Sequence, residues 1–305
     1  MPIMQPSPVA VLCSDLHLRH TVPSGRAESN WYDVMFPYLK NLREVSYRYG
    51  IPIICAGDVF DRWNPPAELV SWAIDHLPEM YAIPGQHDLN GHDYERRMDG
   101  AYGALVKAGI IHDLIPEAWT VIRGGLAVWA NPWGRYLFPD HGPLTHSEVS
   151  LQVIHKYVYT DSSPSKYYGA PEDAEYRACL SANNKLVDYI LIGDNHIRWN
   201  TLEAGNPGSL IPMKQDQMNH MPAYGLLSSS GLAEWYEYDV PAPKWQTLRY
   251  AASLTEKVAD DVIAALGSLE TVSESFSDRL FRAAENAACL ELSKILREVW
   301  EQTRK

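Results

Sequence analysis

Five short polar motifs, each directly after an apolar run, set the limits on how this 305-residue chain can fold. Continuous apolar runs predict strands that are buried on both faces. Ligands in layered α/β proteins bind at the carboxyl ends of such strands, so the five motifs predict one shared site. The motifs are Asp15-Leu16-His17, Gly57-Asp58, Gly85-Gln86-His87-Asp88, His155 and Gly193-Asp194-Asn195-His196.

The first 110 residues alternate strand and helix patterns. Residues 31–49 space apolar side chains by three and four positions, and Gly50 follows where a helix C-cap glycine belongs. The pattern predicts strands at 9–14, 51–56 and 80–83 and helices at 31–49, 65–77 and 94–107. Such alternation predicts a layered α/β domain.

Shorter strands follow residue 110. Gly124-Gly125 separates two apolar runs and predicts a hairpin of residues 119–122 with 126–130. Further strands are predicted at 151–154, 187–192, 224–227 and 234–238, with one helix near 171–183. We therefore predict an α/β four-layer sandwich of two mixed β-sheets flanked by helices. Residues 1–250 are its core, and residues 251–305 are a short helical C-terminal extension.

The composition of the chain narrows the range of functions that it can have. A net charge of −12 argues against a free-standing protein that coats nucleic acid, because such binding needs basic residues that release counterions. Divalent ions bound to the acidic motifs would reverse the local field. The four cysteines have no zinc-type spacing, and no segment has the apolar length of a membrane span. We expect a cytoplasmic protein that does not bind membranes.

Taken together, these motifs resemble the signature of calcineurin-like metallophosphoesterases. The turn Asn206-Pro207-Gly208-Ser209 is also similar to one that this family carries. The resemblance implies a two-sheet sandwich with two divalent ions, one held by Asp15, His17, Asp58 and His196, and the other by Asp58, Gln86, His155 and Asp194. Gln86 stands where the family usually has Asn, and Asp194 where it usually has His.

The same resemblance implies a mechanism. A hydroxide shared by the two ions attacks the phosphate, His87 protonates the leaving oxygen as general acid, and Asp88 orients His87. Because Gln86 and Asp194 make the second position rich in oxygen, Mn²⁺ is the expected metal, with Mg²⁺, Fe or Zn²⁺ as alternatives. Asp61-Arg62 resembles a phosphate-gripping pair, and a surface role for Arg62 is the alternative.

Within the family, the sequences of these motifs are most similar to those of the nuclease subunit of SbcCD-type double-strand-break repair complexes. That similarity implies a DNA exonuclease or endonuclease in repair or recombination, with a coiled-coil ATPase partner that could dock on the C-terminal helices. A homodimer is compatible with the same sequence. Two other functions stay open: a phosphatase or small-molecule phosphodiesterase, and a degenerate non-catalytic interaction module.

Several aromatic residues near the motifs have two interpretations. Trp63 and Tyr94 could stack on bases, but packing is the preferred interpretation for them and for Trp133. His20 and His92 are the remaining histidines nearest the motifs and could touch substrate.

Overall fold

Strands and helices alternate through the first part of the chain, as the sequence predicts. The computed structural model describes residues 6–143, 147, 149–160, 174–176, 186–214 and 217–245. Its three α-helices are α1 (Trp31–Tyr49), α2 (Ala67–His76) and α3 (Ala101–Lys107). Short 3₁₀ turns occupy Gln86–Asp88, Asn90–His92 and Tyr94–Arg96. No helix among the described residues is both long enough and apolar enough to cross a bilayer.

Sheet one has six strands in the order β14-β13-β1-β2-β3-β4. The four strands β1 to β4 are parallel, β13 pairs with β1 in antiparallel fashion, and β14 pairs with β13 in the same way. The strands are β1 (Pro8–Cys13), β2 (Ile53–Cys55), β3 (Met80–Ala82), β4 (Ile111–Asp113), β13 (Ala223–Ser228) and β14 (Ala233–Glu237). The sheet is therefore mixed, and its first strand in the chain, β1, lies beside β13, which comes late in the chain.

Sheet two also has six strands, in the order β11-β12-β10-β7-β6-β5. The central strands are parallel, and an antiparallel strand closes each edge. The strands are β5 (Trp119–Ile122), β6 (Leu126–Asn131), β7 (Val149–His155), β10 (Tyr189–Gly193), β11 (Trp199–Asn200) and β12 (Ala204–Asn206). A separate two-stranded ribbon pairs β8 (Val158–Tyr159) with β9 (Glu175–Tyr176).

Side-chain alternation along β1 contributes to two of the three buried apolar clusters among the described residues. Val11 and Cys13 of β1 pack with the helices on the outer face of sheet one. Ala10 and Leu12 face the other way and pack against apolar residues of sheet two, such as Leu151. Burial on both faces explains why these strands read as continuous apolar runs. The two sheets therefore face each other with helices outside sheet one, which confirms the predicted α/β sandwich of two mixed sheets.

Helix α1 has the predicted bounds because both of its ends are capped locally. The side chain of Asn30 accepts a hydrogen bond from the backbone N–H of Tyr32 at 3.1 Å. Gly50 adopts a left-handed conformation with φ of 65°, and its N–H bonds to carbonyls in the last turn.

Other predicted elements are wrong. Residues 94–107 form a 3₁₀ turn and then α3, not one helix, because Gly100 is extended and lies against the Trp63 carbonyl. Strand β9 occupies part of the helix predicted at 171–183, whose other residues lie outside the described ones. Strand β4 was not predicted. The predicted C-terminal extension at 251–305 also lies outside the described residues.

Candidate metal centre

All the motif residues lie at the carboxyl ends of parallel strands, where the two sheets meet. Sheet one supplies Asp15 and His17 after β1, Asp58 after β2, and Gln86 with His87 after β3. Sheet two supplies His155 at the end of β7 and Asp194 with His196 after β10. The shared site predicted from the strand ends is therefore present in the fold.

The backbone turns sharply at this site. Four residues other than glycine have positive φ here: Asp15 at 51°, His17 at 42°, Asp58 at 51° and Asp194 at 82°. Such conformations cost on the order of 1–3 kcal/mol each and cluster at functional sites. The backbone of Asp194 also donates to both carboxylate oxygens of Asp15 at 3.1 Å, which joins the two sheets.

Asp15, His17 and His196 form one group of donor atoms within 4.8 Å of one another. Nε2 of His17 lies 3.0 Å from Nε2 of His196, and each lies 3.8 Å from Asp15 Oδ1. Gln217 donates to Nδ1 of His196 at 3.0 Å, so a neutral His196 keeps its proton on Nε2. An ion at this nitrogen would replace that proton, and the Gln217 amide would then have to turn.

Asp58 lies at the centre of the site. Its Oδ2 is 3.6 Å from Nε2 of His17 and 3.5 Å from Nε2 of His155, so it faces both donor groups. His155 Nδ1 donates to the Ala56 carbonyl at 2.5 Å, which directs Nε2 toward Asp58. Nearby, the Gln86 amide donates to Asp194 Oδ1 at 2.7 Å. The four residues predicted for the second ion thus form two contacting pairs, Asp58 with His155 and Gln86 with Asp194.

Three glycines let the strand ends approach this closely. A Cβ on Gly57 would collide with the His155 ring, and one on Gly85 would collide with Asp58 and His155. A Cβ on Gly193 would collide with the Ala56 carbonyl and the Ser14 hydroxyl. The motifs therefore need glycine at these positions because a side chain would not fit there. Any turn that the glycines allow is an additional reason.

Burial and mutual charge set the ionisation of these groups. Burial raises the pKa of Asp15 to about 8 and lowers that of His196 to about 4. Burial would raise the pKa of Asp58 as well, but the charges of His155 and His17 outweigh it and leave that pKa below its usual range. Burial opposes the charge of His155, yet Asp58 raises the pKa of His155 to about 10. A buried carboxylate is thus balanced by a cation at the centre of the site.

Unpaired buried atoms test whether a metal fits here. Asp58 Oδ2, His155 Nε2, His17 Nδ1 and Gln86 Oε1 are buried and have no hydrogen-bond partner. Orphaned buried polar atoms are rare in folded proteins and are explained by an ion or another ligand. Three of these four atoms are carboxylate, imidazole and amide donors that the predicted ligand set uses. The residues therefore fit divalent metal ions.

The structure corrects the predicted role of Asp88. Its carboxylate accepts hydrogen bonds from the backbone N–H groups of Val59, Phe60 and Gly85 at 2.9–3.1 Å. His87 is exposed, and its Nδ1 lies 2.9 Å from the Asp61 carbonyl, so Asp61 and not Asp88 orients the ring. Asp88 instead ties the loop after β2 to the loop after β3. Arg62, predicted as a weak substrate contact, is exposed on the same loop.

Sequence reasoning missed the residues that support the ligands. Ser14 donates to Asp15 Oδ2 at 2.6 Å, and Gln217 contacts His196 from a distant loop. Asn206 donates to the Asn195 carbonyl at 2.5 Å and accepts from Gly208 N–H at 2.7 Å. Ser14 is adjacent to a motif and Asn206 belongs to the Asn-Pro-Gly-Ser turn, so the sequence contained a sign that both residues lie near the site. It contained no such sign for Gln217.

The sandwich and its joined strand ends define a metal-binding hydrolase site. A family model described as calcineurin-like phosphoesterase matches residues 9–198, and the chain belongs to this family of metal-dependent phosphoester hydrolases. No curated protein matches the chain.

Solved structures also resemble the chain. A Thermus thermophilus protein shares 12% identity, with 76% of this chain and 99% of that chain covered and a TM-score of 0.43. A structure titled as a novel archaeal phosphodiesterase shares 12% identity over 75% of this chain and 98% of that chain, with a TM-score of 0.38. A metallophosphoesterase from Sphaerobacter thermophilus shares 13% identity, with 77% of this chain and 90% of that chain covered and a TM-score of 0.35. At such TM-scores the family model carries the assignment.

Proposed function

We propose that the chain is a two-metal phosphodiesterase and that its substrate is DNA. The observation that carries the proposal is the position of Asp58, whose Oδ2 lies 3.6 Å from His17 and 3.5 Å from His155. A carboxylate that faces both His17 and His155 would contribute to holding both ions. Asp15, His17 and His196 would complete one position, and Gln86, His155 and Asp194 the other.

Divalent ions bound there would supply an activated water and offset the negative charge of the phosphate. His87 supplies the proton. Its ring packs edge-on to His17 with 5.0 Å between centroids, and Nδ1 donates to the Asp61 carbonyl. Because a carbonyl can only accept, this contact leaves Nε2 to face the substrate. A protonated His87 can then donate from Nε2 to the leaving oxygen, which a poor alkoxide leaving group such as that of DNA requires.

The acidic chain needs a source of positive charge if it acts on DNA. Bound divalent ions would supply part of it at the site. We propose that a coiled-coil ATPase partner supplies the rest of the DNA-binding surface, and that residues 251–305 provide its docking element. The proposal rests on the similarity of the motifs to nucleases of the SbcCD type.

The test is Mn²⁺-dependent cleavage of end-labelled duplex and single-stranded DNA by the purified chain. Asp58→Asn removes a bridging carboxylate and should abolish cleavage. Asp75→Asn, an exposed position on α2, is the matched control and should cleave like the parent. Metal content of both variants is measured on the same samples.

The outcomes separate the alternative functions. Intact DNA with cleavage of p-nitrophenyl phosphate would replace the nuclease with a phosphatase. Intact DNA and intact phosphate esters, in a parent chain that retains one ion or none, would indicate a non-catalytic interaction module. Loss of label in the parent and in Asp75→Asn, and not in Asp58→Asn, supports the nuclease.

A further inference from the structure

Trp133 lies beside the candidate metal centre. It follows β6, whose carboxyl end lies beside that of β7, the strand that carries His155. The backbone N–H of Trp133 donates to the Pro84 carbonyl at 3.2 Å. Pro84 opens the loop that holds Gln86 and His87, so Trp133 is fixed to the metal-site loop of the opposite sheet. The packing role predicted for Trp133 does not account for this position.

The indole ring of Trp133 has an unstacked face. Its ring centroid lies 6.4 Å from that of His155, 6.5 Å from that of His92 and 6.5 Å from that of Tyr136. All three contacts are edge-on, with interplanar angles of 68° to 84°. Trp133 is partly exposed and His92 is fully exposed. Within the described part of the chain, no ring stacks on Trp133 face to face.

Trp133 and His87 each contact a different histidine that faces the Asp58 carboxylate. His17 and His155 approach Asp58 Oδ2 separately, at 3.6 Å and 3.5 Å. His87 packs on the His17 ring, and Trp133 packs on the His155 ring. A phosphodiester held at Asp58 with its leaving group at His87 would then have Trp133, next to His155, available to its other substituent.

We propose that Trp133 and His92 form a binding site for the nucleobase on the non-leaving side of the phosphodiester. The inference rests on the proposed phosphodiesterase function and specifies its substrate as a nucleotide ester. Every base has a π face, so stacking on an indole binds nucleotides without reading sequence. The Tyr136 hydroxyl donates to the His155 carbonyl at 3.0 Å, and the Lys156 ammonium lies 4.8 Å from the Tyr136 ring centroid. Lys156 therefore lies on the side of the centre that carries Tyr136 and Trp133.

Two substrates with the same leaving group isolate this contact. Methyl p-nitrophenyl phosphate and the thymidine p-nitrophenyl phosphates, as the 5′ and 3′ esters, differ only in the group that stays on phosphorus. The parent should prefer at least one thymidine ester by roughly 5- to 150-fold in kcat/KM, the range expected for one stacked base. Trp133→Leu should bring that ratio near one, because KM for the thymidine ester should rise much more than KM for the methyl ester.

Three further variants complete the design. Trp133→Phe keeps an aromatic face and should keep most of the preference. His92→Asn should reduce it, and Asn tolerates the positive φ of 58° at this position. Trp72→Leu, on the helix layer, is the matched control and should behave like the parent.

Equal kcat/KM for methyl and thymidine esters in the parent would overturn the nucleobase site and leave the phosphodiesterase function standing. An equal loss on both esters in Trp133→Leu would also overturn it, since that result assigns Trp133 to positioning His155. Failure of the parent to hydrolyse any diester, with metal bound, would instead remove the proposed function itself.

Discussion

Individual residues at the centre are held in conformations that only the site explains. Asp15, His17, Asp58 and Asp194 all have positive φ, and each is a predicted metal ligand. Their carboxylate and imidazole groups are also crowded together in the interior, where an unpaired charge is costly. The fold thus sustains local strain to point these side chains at one place. Predictions at this scale concern the proton donor and the space around Asp58.

His87→Ala should lower cleavage of DNA by about 10²- to 10⁴-fold and leave metal content unchanged. Hydrolysis of a p-nitrophenyl diester should fall much less, because that leaving group departs without a proton. The measurement is kcat on both substrates, with metal analysis of the same protein. His112→Ala is the control, because His112 lies in the middle of β4 and contacts Glu79. An equal loss on both substrates would assign His87 to metal binding.

Gly85→Ala should reduce activity by about 10²-fold or more, because its methyl group would occupy the space of Asp58 and His155 and displace them. Gly85 has φ of −92°, which alanine adopts freely, so any loss comes from crowding and not from backbone strain. Gly142→Ala adds the same methyl group in open space and should be fully active. Full activity and normal metal content in Gly85→Ala would show that the close approach is dispensable.

At the scale of elements, the segment at residues 239–245 is fastened to the start of α1. The buried Arg26 guanidinium lies 5.0 Å from the ring centroids of both Trp31 and Trp245. It also donates to both carboxylate oxygens of Glu28, at 2.6 Å and 3.1 Å. Glu28 in turn accepts from the backbone N–H of Lys244 at 2.8 Å. One ion pair therefore holds two distant segments together.

Glu28→Gln should destabilise the protein by about 1.5–3 kcal/mol at neutral pH, the range for hydrogen bonds to charged groups. Burial opposes ionisation of Glu28, but hydrogen bonds from Arg26 and Lys244 outweigh it and lower its pKa below 4.5. A depressed pKa gives stability that is present above the unfolded-state pKa and is lost as pH falls through the folded-state value. The difference in Tm between parent and variant should therefore be largest above pH 4.5 and shrink in acid. A difference that is constant with pH would contradict this role.

Elements whose limits are set locally were predicted well, and those set by distant contacts were not. Helix α1 has the predicted bounds because Asn30 and Gly50 cap it. The helix predicted at 94–107 failed because Gly100 packs against Trp63, a contact that no local pattern reveals. The same division holds at the site. Motif side chains were found from the sequence, whereas the Asp61 carbonyl and Gln217 act through tertiary contacts.

At the scale of the whole molecule, the centre lies on the seam between the two sheets. Each predicted ion position takes ligands from both sheets. In the first, Asp15 and His17 come from sheet one and His196 from sheet two. In the second, Asp58 and Gln86 come from sheet one, and His155 and Asp194 from sheet two. An ion at either position would link the sheets directly. Metal binding should therefore contribute to the stability of the entire sandwich.

Mn²⁺ at about 100 times its Kd should stabilise the parent by about 2.7 kcal/mol, because it binds the folded chain only. Tm should rise on addition of Mn²⁺ and return to its starting value with a chelator. Asp58→Asn should show a smaller rise, and Asp75→Asn the full one. A parent whose Tm does not respond to Mn²⁺, Mg²⁺, Fe or Zn²⁺ would contradict a bridging metal centre.

The pairing of β1 with β13 bears on how the chain is made. Leu12 lies opposite Gly225, and Pro8 lies opposite Ser228, so the first strand pairs with a segment more than 200 residues later. Every predicted ligand is synthesised before that partner strand. Because such long-range pairing closes slowly, the apolar edge of β1 stays open to other chains until β13 is available to pair with it. Folding of this protein in the cell is therefore completed after synthesis of β13, and shortened chains that end before residue 223 should collect as aggregates.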